Sequence, residues 1–152
     1  MAALKKRKRM PIVGAVMTSF PYFVEAGETV ATMERLMDKR GIRHLPVQEN
    51  GKVVGIVSER DLHHYVKRDA PAAEKEKIVA RDIMITDPYI ASFRAPLNEV
   101  VHEMARRRIG SVIVQRQHKL AGILSAIDVC RILGEYLDAI FPSDRRGGDS
   151  AA

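Results

Sequence analysis

Two short motifs carry the chemistry open to this chain: Ser58-x-x-Asp61 and Ser125-x-x-Asp128, each beginning three residues after a glycine, Gly55 or Gly122. A serine that opens a helix stands among free backbone N–H groups at the positive end of the helix dipole, where a phosphate is favoured. An aspartate one turn further in offers a carboxylate that accepts from two neighbouring hydroxyls, the arrangement on a ribose. Glycine in the preceding segment permits close backbone approach. The spacing also approximates a capping box, in which the serine caps and the acid reaches back to the cap. One copy leaves capping and ligand binding both open, whereas two copies in one register favour binding in at least one.

That register is 67 residues long (122 less 55), and it also carries Met17 onto Met84, Pro21 onto Pro88, Tyr22 onto Tyr89, Met37 onto Met104, Val47 onto Val114 and Lys52 onto Lys119. A single offset held this widely implies one supersecondary unit used twice, with function expected in the clefts between the copies. Each unit opens with a short helical turn, at residues 11–17 and 78–84, followed by an extended stretch at Tyr22 and Tyr89. An amphipathic helix comes next. Thr29 is its N-cap, Val30, Met33, Leu36 and Met37 form its apolar stripe, and Gly41 ends it as a left-handed cap. In the copy Pro96 starts the helix, Leu97, Val100, Val101 and Met104 make the stripe, and Arg106, Arg107 and Arg108 complement the dipole.

Two strands follow in each unit. Residues 44–48 and 53–57 are joined through Asn50-Gly51, a strong hairpin signal, while 111–115 and 120–124 are joined by a polar connection without glycine, a weaker turn. A helix beginning at the repeated serine closes each unit, and the second runs to Phe141, where Pro142 stops it. The unit is therefore β-α-β-β-α, an α/β (α+β) class, and too small to close its own core. Two such units are expected to bury their sheets against each other about a pseudo-twofold axis. The organisation reads as a basic tail (1–10), a first repeat (11–66), a charged linker (67–77) with some helix, a second repeat (78–141) and a flexible C-terminal tail (142–152).

At 152 residues, 46% hydrophobic and 29% charged, the chain has the composition of a globular protein. No apolar run is long enough to span a bilayer or serve as a signal-peptide core. The lone Cys130 excludes an internal disulfide and agrees with a reducing, cytoplasmic setting; it is expected to be an inert core thiol. Much of the net charge of +6 sits in Lys5, Lys6, Arg7, Lys8 and Arg9, which reads as a solvated tail before it reads as a nucleic-acid surface.

With Gly41-Ile-Arg-His-Leu-Pro-Val47, Gly51-Lys-Val-Val-Gly-Ile-Val-Ser58 and Arg60-Asp61-Leu62 in the first unit, the chain resembles a tandem pair of cystathionine-β-synthase-type (CBS) domains, a Bateman module. The second unit carries the likeness in Asp82-Ile-Met84, Gly122-Ile-Leu-Ser125 and Asp128-Val129. The resemblance covers about residues 11–141. It implies an adenosine-containing ligand (AMP, ADP, ATP or S-adenosylmethionine) held in composite clefts, each joining the Ser-x-x-Asp motif of one unit to the hydrophobic-x-x-hydrophobic-Pro motif and early strand of the other. It also implies a regulatory sensor with no required cofactor, commonly dimerised through its helices, and an effector that is either this second copy or a separate protein.

Crossing the motifs in this way yields two unequal pockets. One joins Ser125 and Asp128 to Phe20, Val24, Ile42, Arg43 and His44, with Leu45 and Pro46 completing its motif. The other joins Ser58 and Asp61 to Asp87, Ala91, Ile109, Gly110 and Ser111, a counterpart that lacks the proline and both basic groups. The pocket anchored by Asp128 is therefore favoured. Asp87 would repel a phosphate but accept from an exocyclic amine. Tyr22 and Tyr89 read as strand-packing residues before adenine platforms.

No catalytic constellation is present. The five histidines lack metal-ligand spacing, no phosphate-binding Gly-rich loop or nucleophile elbow occurs, and Cys130 has no base partner in sequence. The leading expectation is a non-catalytic, homodimeric adenine-nucleotide sensor. Its rivals are a nucleic-acid-associated regulator using the basic tail and a purely structural dimerisation module.

Overall fold

The computed structural model describes residues 9–142; Lys5, Lys6, Arg7 and Lys8 of the basic tail and residues 143–152 lie outside the described residues. After a 3-10 turn at Val13–Ala15 come β1 (Thr18–Ser19), β2 (Val24–Glu25), α1 (Val30–Arg40), β3 (His44–Glu49), β4 (Lys52–Ser58) and α2 (Glu59–Tyr65). A linker helix, α3 (Ala72–Lys75), precedes α4 (Ala80–Ile83), β5 (Ile90–Ser92), α5 (Leu97–Arg107), β6 (Ser111–Arg116), β7 (Lys119–Ser125) and α6 (Ala126–Ile140). Each repeat is β-α-β-β-α as expected, β2-α1-β3-β4-α2 and β5-α5-β6-β7-α6, in a mixed α+β fold.

The local signals explain the helices. Thr29 Oγ1 accepts from the Thr32 N–H at 3.2 Å, and Gly41 ends α1 at a φ of 63°. The stripe of α1 buries Val30, Met33 and Met37, and that of α5 buries Leu97, Val100 and Met104. Each fully buried aliphatic side chain is worth about 2 kcal/mol. In the linker, Lys75 Nζ lies 2.9 Å from Glu34 Oε2 on α1, which pins α3 to the first repeat.

The sheets repeat in detail. β2 runs parallel to β3, which pairs antiparallel with β4; β5, β6 and β7 do the same, and a register shift falls at Val47/Gln48 in one copy and Val114/Gln115 in the other. The hairpins also match. Asn50 and Gly51 turn at φ 52° and 74°, and Gln117 and His118 at 52° and 62°, so the second hairpin forms the same two-residue turn with no glycine to ease it.

The opening segments cross over between repeats. β1, which precedes the first repeat's own sheet, pairs antiparallel with β7 of the second, through Thr18↔Ile123 and Ser19↔Gly122. The equivalent residue 67 positions on, Ile85, bridges to Ile56 of β4 with reciprocal hydrogen bonds of 2.9 and 3.1 Å. Packing follows the same exchange: Val13 is buried in the core of the second repeat, and Ala80 and Ile83 in the core of the first. This crossing accounts for the motif glycines. A Cβ at Gly55 would lie 2.8 Å from the Ile85 carbonyl oxygen, and one at Gly122 2.8 Å from that of Thr18. The close approach expected at these glycines is thus made by the chain itself.

Candidate functional site

A cavity of about 570 Å³ opens between the repeats beside Ser58 and Asp61. The first repeat supplies Arg43 and His44 at the start of β3, Ile56 from β4, and the first turn of α2. The second supplies Asp87, Pro88 and Tyr89 from the crossing segment, Arg107 and Arg108 from the end of α5, and Ile109, Gly110 and Ser111 leading into β6. The cleft draws on both repeats and brings together Ser58, Asp61, Asp87, Ile109, Ser111, Arg43 and His44.

Arg43 and His44 were expected across from Asp128, yet they border the Asp61 cavity. The cause is strand register, because His44 pairs with Ser58 across β3 and β4 and so flanks the serine of its own repeat. Ser125, Asp128, Phe20 and Ile42 do not border this cavity. Val24, Leu45, Pro46 and Ala91 are buried and do not border this cavity. Phe20 stands 95% exposed, and Ile42 packs on the first core.

The two Ser-x-x-Asp motifs differ in geometry. Asp128 Oδ2 accepts from both the Ser125 N–H at 2.9 Å and the Ser125 hydroxyl at 2.8 Å, while the Asp128 N–H donates to Ser125 Oγ at 3.1 Å, a closed capping box. At the other motif Asp61 Oδ2 accepts only from the Ser58 hydroxyl, at 2.6 Å, and the Asp61 N–H returns a bond to Ser58 Oγ at 3.0 Å. Among the described residues, Asp61 Oδ1 has no hydrogen-bond donor. The helix N-termini are less open than their sequence suggests: the Glu59 N–H donates to the Arg43 carbonyl and the Ala126 N–H to that of Gly110, each at 2.8 Å.

Electrostatics in the cleft are basic at the rim and mixed inside. Burial pushes the His44 imidazole below its ordinary value of 6.5, the nearby Asp61 carboxylate opposes this, and Arg43 adds to it. Arg43 lies 3.7 Å from Glu59, which also faces Arg68 at 3.6 Å and His63 at 4.0 Å. His63 Nδ1 is buried without a partner among the described residues. The tyrosines behave as packing residues on one face at least: the guanidinium of Arg107 lies 4.6 Å from the Tyr89 ring centre, and that of Arg40 lies 4.7 Å from that of Tyr22.

Several lining residues were not singled out from the sequence: Glu59, Arg60, His63, Arg107 and Arg108. Their signal was present in outline. Glu59, Arg60 and His63 lie within or just past Ser58-x-x-Asp61, and Arg107-Arg108 directly precede Ile109, where they read as complements to the helix dipole. Cys130, expected inside the core, is exposed and borders a shallow groove with Val101, Met104, Ala126 and Val129. No group of three or more potential metal-ligating side chains occurs among the described residues, and no helix there is long and apolar enough to cross a membrane.

A family model described as CBS domain matches residues 13–68 and 80–135. Inosine-5'-monophosphate dehydrogenase of Korarchaeum cryptofilum is 32% identical over 130 residues, which are 85% of this chain and 25% of that protein. The chain therefore spans about a quarter of that curated relative, and 43% of the next, an uncharacterised protein of Methanocaldococcus jannaschii. The solved structure of a putative acetoin utilization protein (AcuB) from Vibrio cholerae superposes with a TM-score of 0.75 at 28% identity, covering 90% of this chain and 99% of that one. The CBS domain pair of protein MJ0100, solved with 5-methylthioadenosine and S-adenosyl-L-methionine, superposes with a TM-score of 0.70 at 24% identity, covering 84% and 99%.

Proposed function

The chain belongs to the CBS-domain family and contains two CBS domains, and on that premise we propose that it is a non-catalytic regulatory module binding an adenosine-containing ligand in the cleft at Asp61. The observation that carries this reading is the composite cavity itself, with an aspartate that keeps one oxygen free of protein donors. Asp61 would accept from the two ribose hydroxyls, and Asp87 from the exocyclic amine of the base. The Asp128 cleft, favoured on sequence grounds, ranks second, because Asp128 does not border the cavity, its Oδ2 takes two bonds from Ser125 and Arg131 stands 3.8 Å from its Oδ1. The likeness to a domain pair solved with two adenosyl compounds supports the ligand class.

A ligand bridging both repeats would act by binding one relative arrangement better than another, and its leverage equals that difference in affinity. The output would pass to a second copy of the chain or to a separate effector protein. An exposed free thiol, Cys130, fits the reducing interior of the cytoplasm.

Thermal denaturation against AMP, ADP, ATP and S-adenosylmethionine tests the proposal. A ligand at a hundred times its dissociation constant adds about 2.7 kcal/mol of stability. Asp61→Ala is expected to remove that gain and Asp128→Ala to leave most of it. The reverse order would move the site to the other cleft, and no gain with any ligand would leave a structural dimerisation module.

A further inference from the structure

The internal repeat provides a built-in comparison for the cleft. Moving each lining residue by 67 positions carries Ser58 onto Ser125, Asp61 onto Asp128, Tyr89 onto Tyr22 and Arg107 onto Arg40. Those pairs match in type. Five basic positions do not: Arg43 corresponds to Gly110, His44 to Ser111, Arg60 to Ile127, His63 to Cys130 and Arg108 to Gly41.

Four arginines line the Asp61 cavity, against three carboxylates, Glu59, Asp61 and Asp87. Two of the four are already engaged. Arg43 faces Glu59 at 3.7 Å, and Arg107 hydrogen-bonds Glu103 while covering the Tyr89 ring. Arg60 and Arg108 make no ion pair among the described residues, and they approach from opposite walls, one on α2 of the first repeat and the other at the end of α5 of the second. A guanidinium is a fork of donors suited to phosphate oxygens, and two unpaired forks on different repeats suit an anion that reaches across the cleft from one wall to the other. With the Glu59 N–H given to the Arg43 carbonyl and the Asp61 N–H to Ser58 Oγ, the start of α2 offers an anion fewer contacts, and side chains supply the rest.

Resting on the adenosine reading of this cleft, we infer that its ligand carries a polyphosphate, a nucleoside di- or triphosphate whose outer phosphates are held by Arg60 and Arg108. A sulfonium ligand such as S-adenosylmethionine, with its positive charge near these arginines, binds this cleft more weakly. The Asp128 cleft, carrying Ile127 and Gly41 at the corresponding places, lacks the device.

Isothermal titration of the full chain with adenosine, AMP, ADP, ATP, S-adenosylmethionine and inorganic tripolyphosphate tests the inference. Affinity is expected to rise by about tenfold or more from AMP to ATP, in line with added charge-assisted hydrogen bonds. Added salt should erode that rise, since it screens exposed charges. The Arg60→Gln, Arg108→Gln double substitution should abolish the rise, and the salt series on the unaltered chain decides the same point if that variant fails to fold. Equal affinity for AMP and ATP, or tighter binding of S-adenosylmethionine, overturns the polyphosphate inference and leaves the adenosine reading standing. Tripolyphosphate binding that the double substitution removes, with no adenosine compound binding better than tripolyphosphate, upholds the arginine pair and sinks the adenosine reading. Silence from every probe overturns both.

Discussion

His44 stands at a close approach of the two repeats. Its Nε2 lies 3.2 Å from where a Gly110 side chain would begin, so a bare glycine in one repeat makes room for an imidazole in the other. Burial there lowers the His44 pKa below 6.5, against Asp61 and with Arg43. A depressed imidazole binds its proton less well folded than unfolded, so its stabilising contribution is complete above 6.5 and is lost as pH falls below that value. Glu103, drawn down to about 2 by hydrogen bonds from Arg106 and Arg107, remains ionised through this window and adds no slope. Melting temperature followed downward from neutral pH is therefore expected to fall more steeply for the native chain than for His44→Asn. Coincident slopes would mean that this imidazole titrates normally in the fold.

Among the elements, the two hairpins solve one geometric problem with different residues. A two-residue connection whose twist matches the strands needs positive φ at both turn positions. Asn50-Gly51 accepts this readily, but Gln117 and His118 hold it at 52° and 62° against the clash of Cβ with backbone. Replacing Gln117-His118 with Asn-Gly should relieve about 1 kcal/mol of strain. The urea midpoint should rise accordingly with an unchanged slope, and no rise would mean that side-chain contacts hold the present turn.

The hairpins, α1 with its Thr29 and Gly41 caps, and α5 with its stripe were legible in sequence because their signals are local: periodicity, capping and turn chemistry act within a few residues. The destination of the opening segments was not. Val13 and Ala80 have the same apolar character whichever core receives them, and only the sheet edges offered by β7 and β4 decide. The site inherits that gap. The crossed motifs place Asp61, Ser58, Ile109 and Ser111 together, as the cavity does, whereas they assign Arg43 and His44 across the axis, because the β3–β4 register that sets His44 beside Ser58 is a tertiary fact.

At the scale of the whole molecule, α6 is the anomaly. It is the longest helix among the described residues, fifteen residues from Ala126 to Ile140, and none of them is buried. Val129 and Ile132 pack against the second core on its inner side, yet Leu133, Tyr136, Leu137 and Ile140 form an outward stripe at three- and four-residue spacing, with Phe141 just beyond it and 70% exposed. A contiguous apolar stripe of this kind marks an interaction surface. A second copy of the chain is the simplest occupant, since the same stripe on both partners is self-complementary across a twofold axis. Sedimentation should then give twice the 17.0 kDa of one chain. Leu133→Glu with Leu137→Glu should return the monomer, because each leucine withdrawn from such an interface forfeits about 2 kcal/mol of burial and leaves a charge in its place. The helix caps and cleft residues stand apart from this stripe, so the monomeric variant should keep its cooperative unfolding; a native chain that sediments at 17.0 kDa would instead assign the stripe to a separate effector.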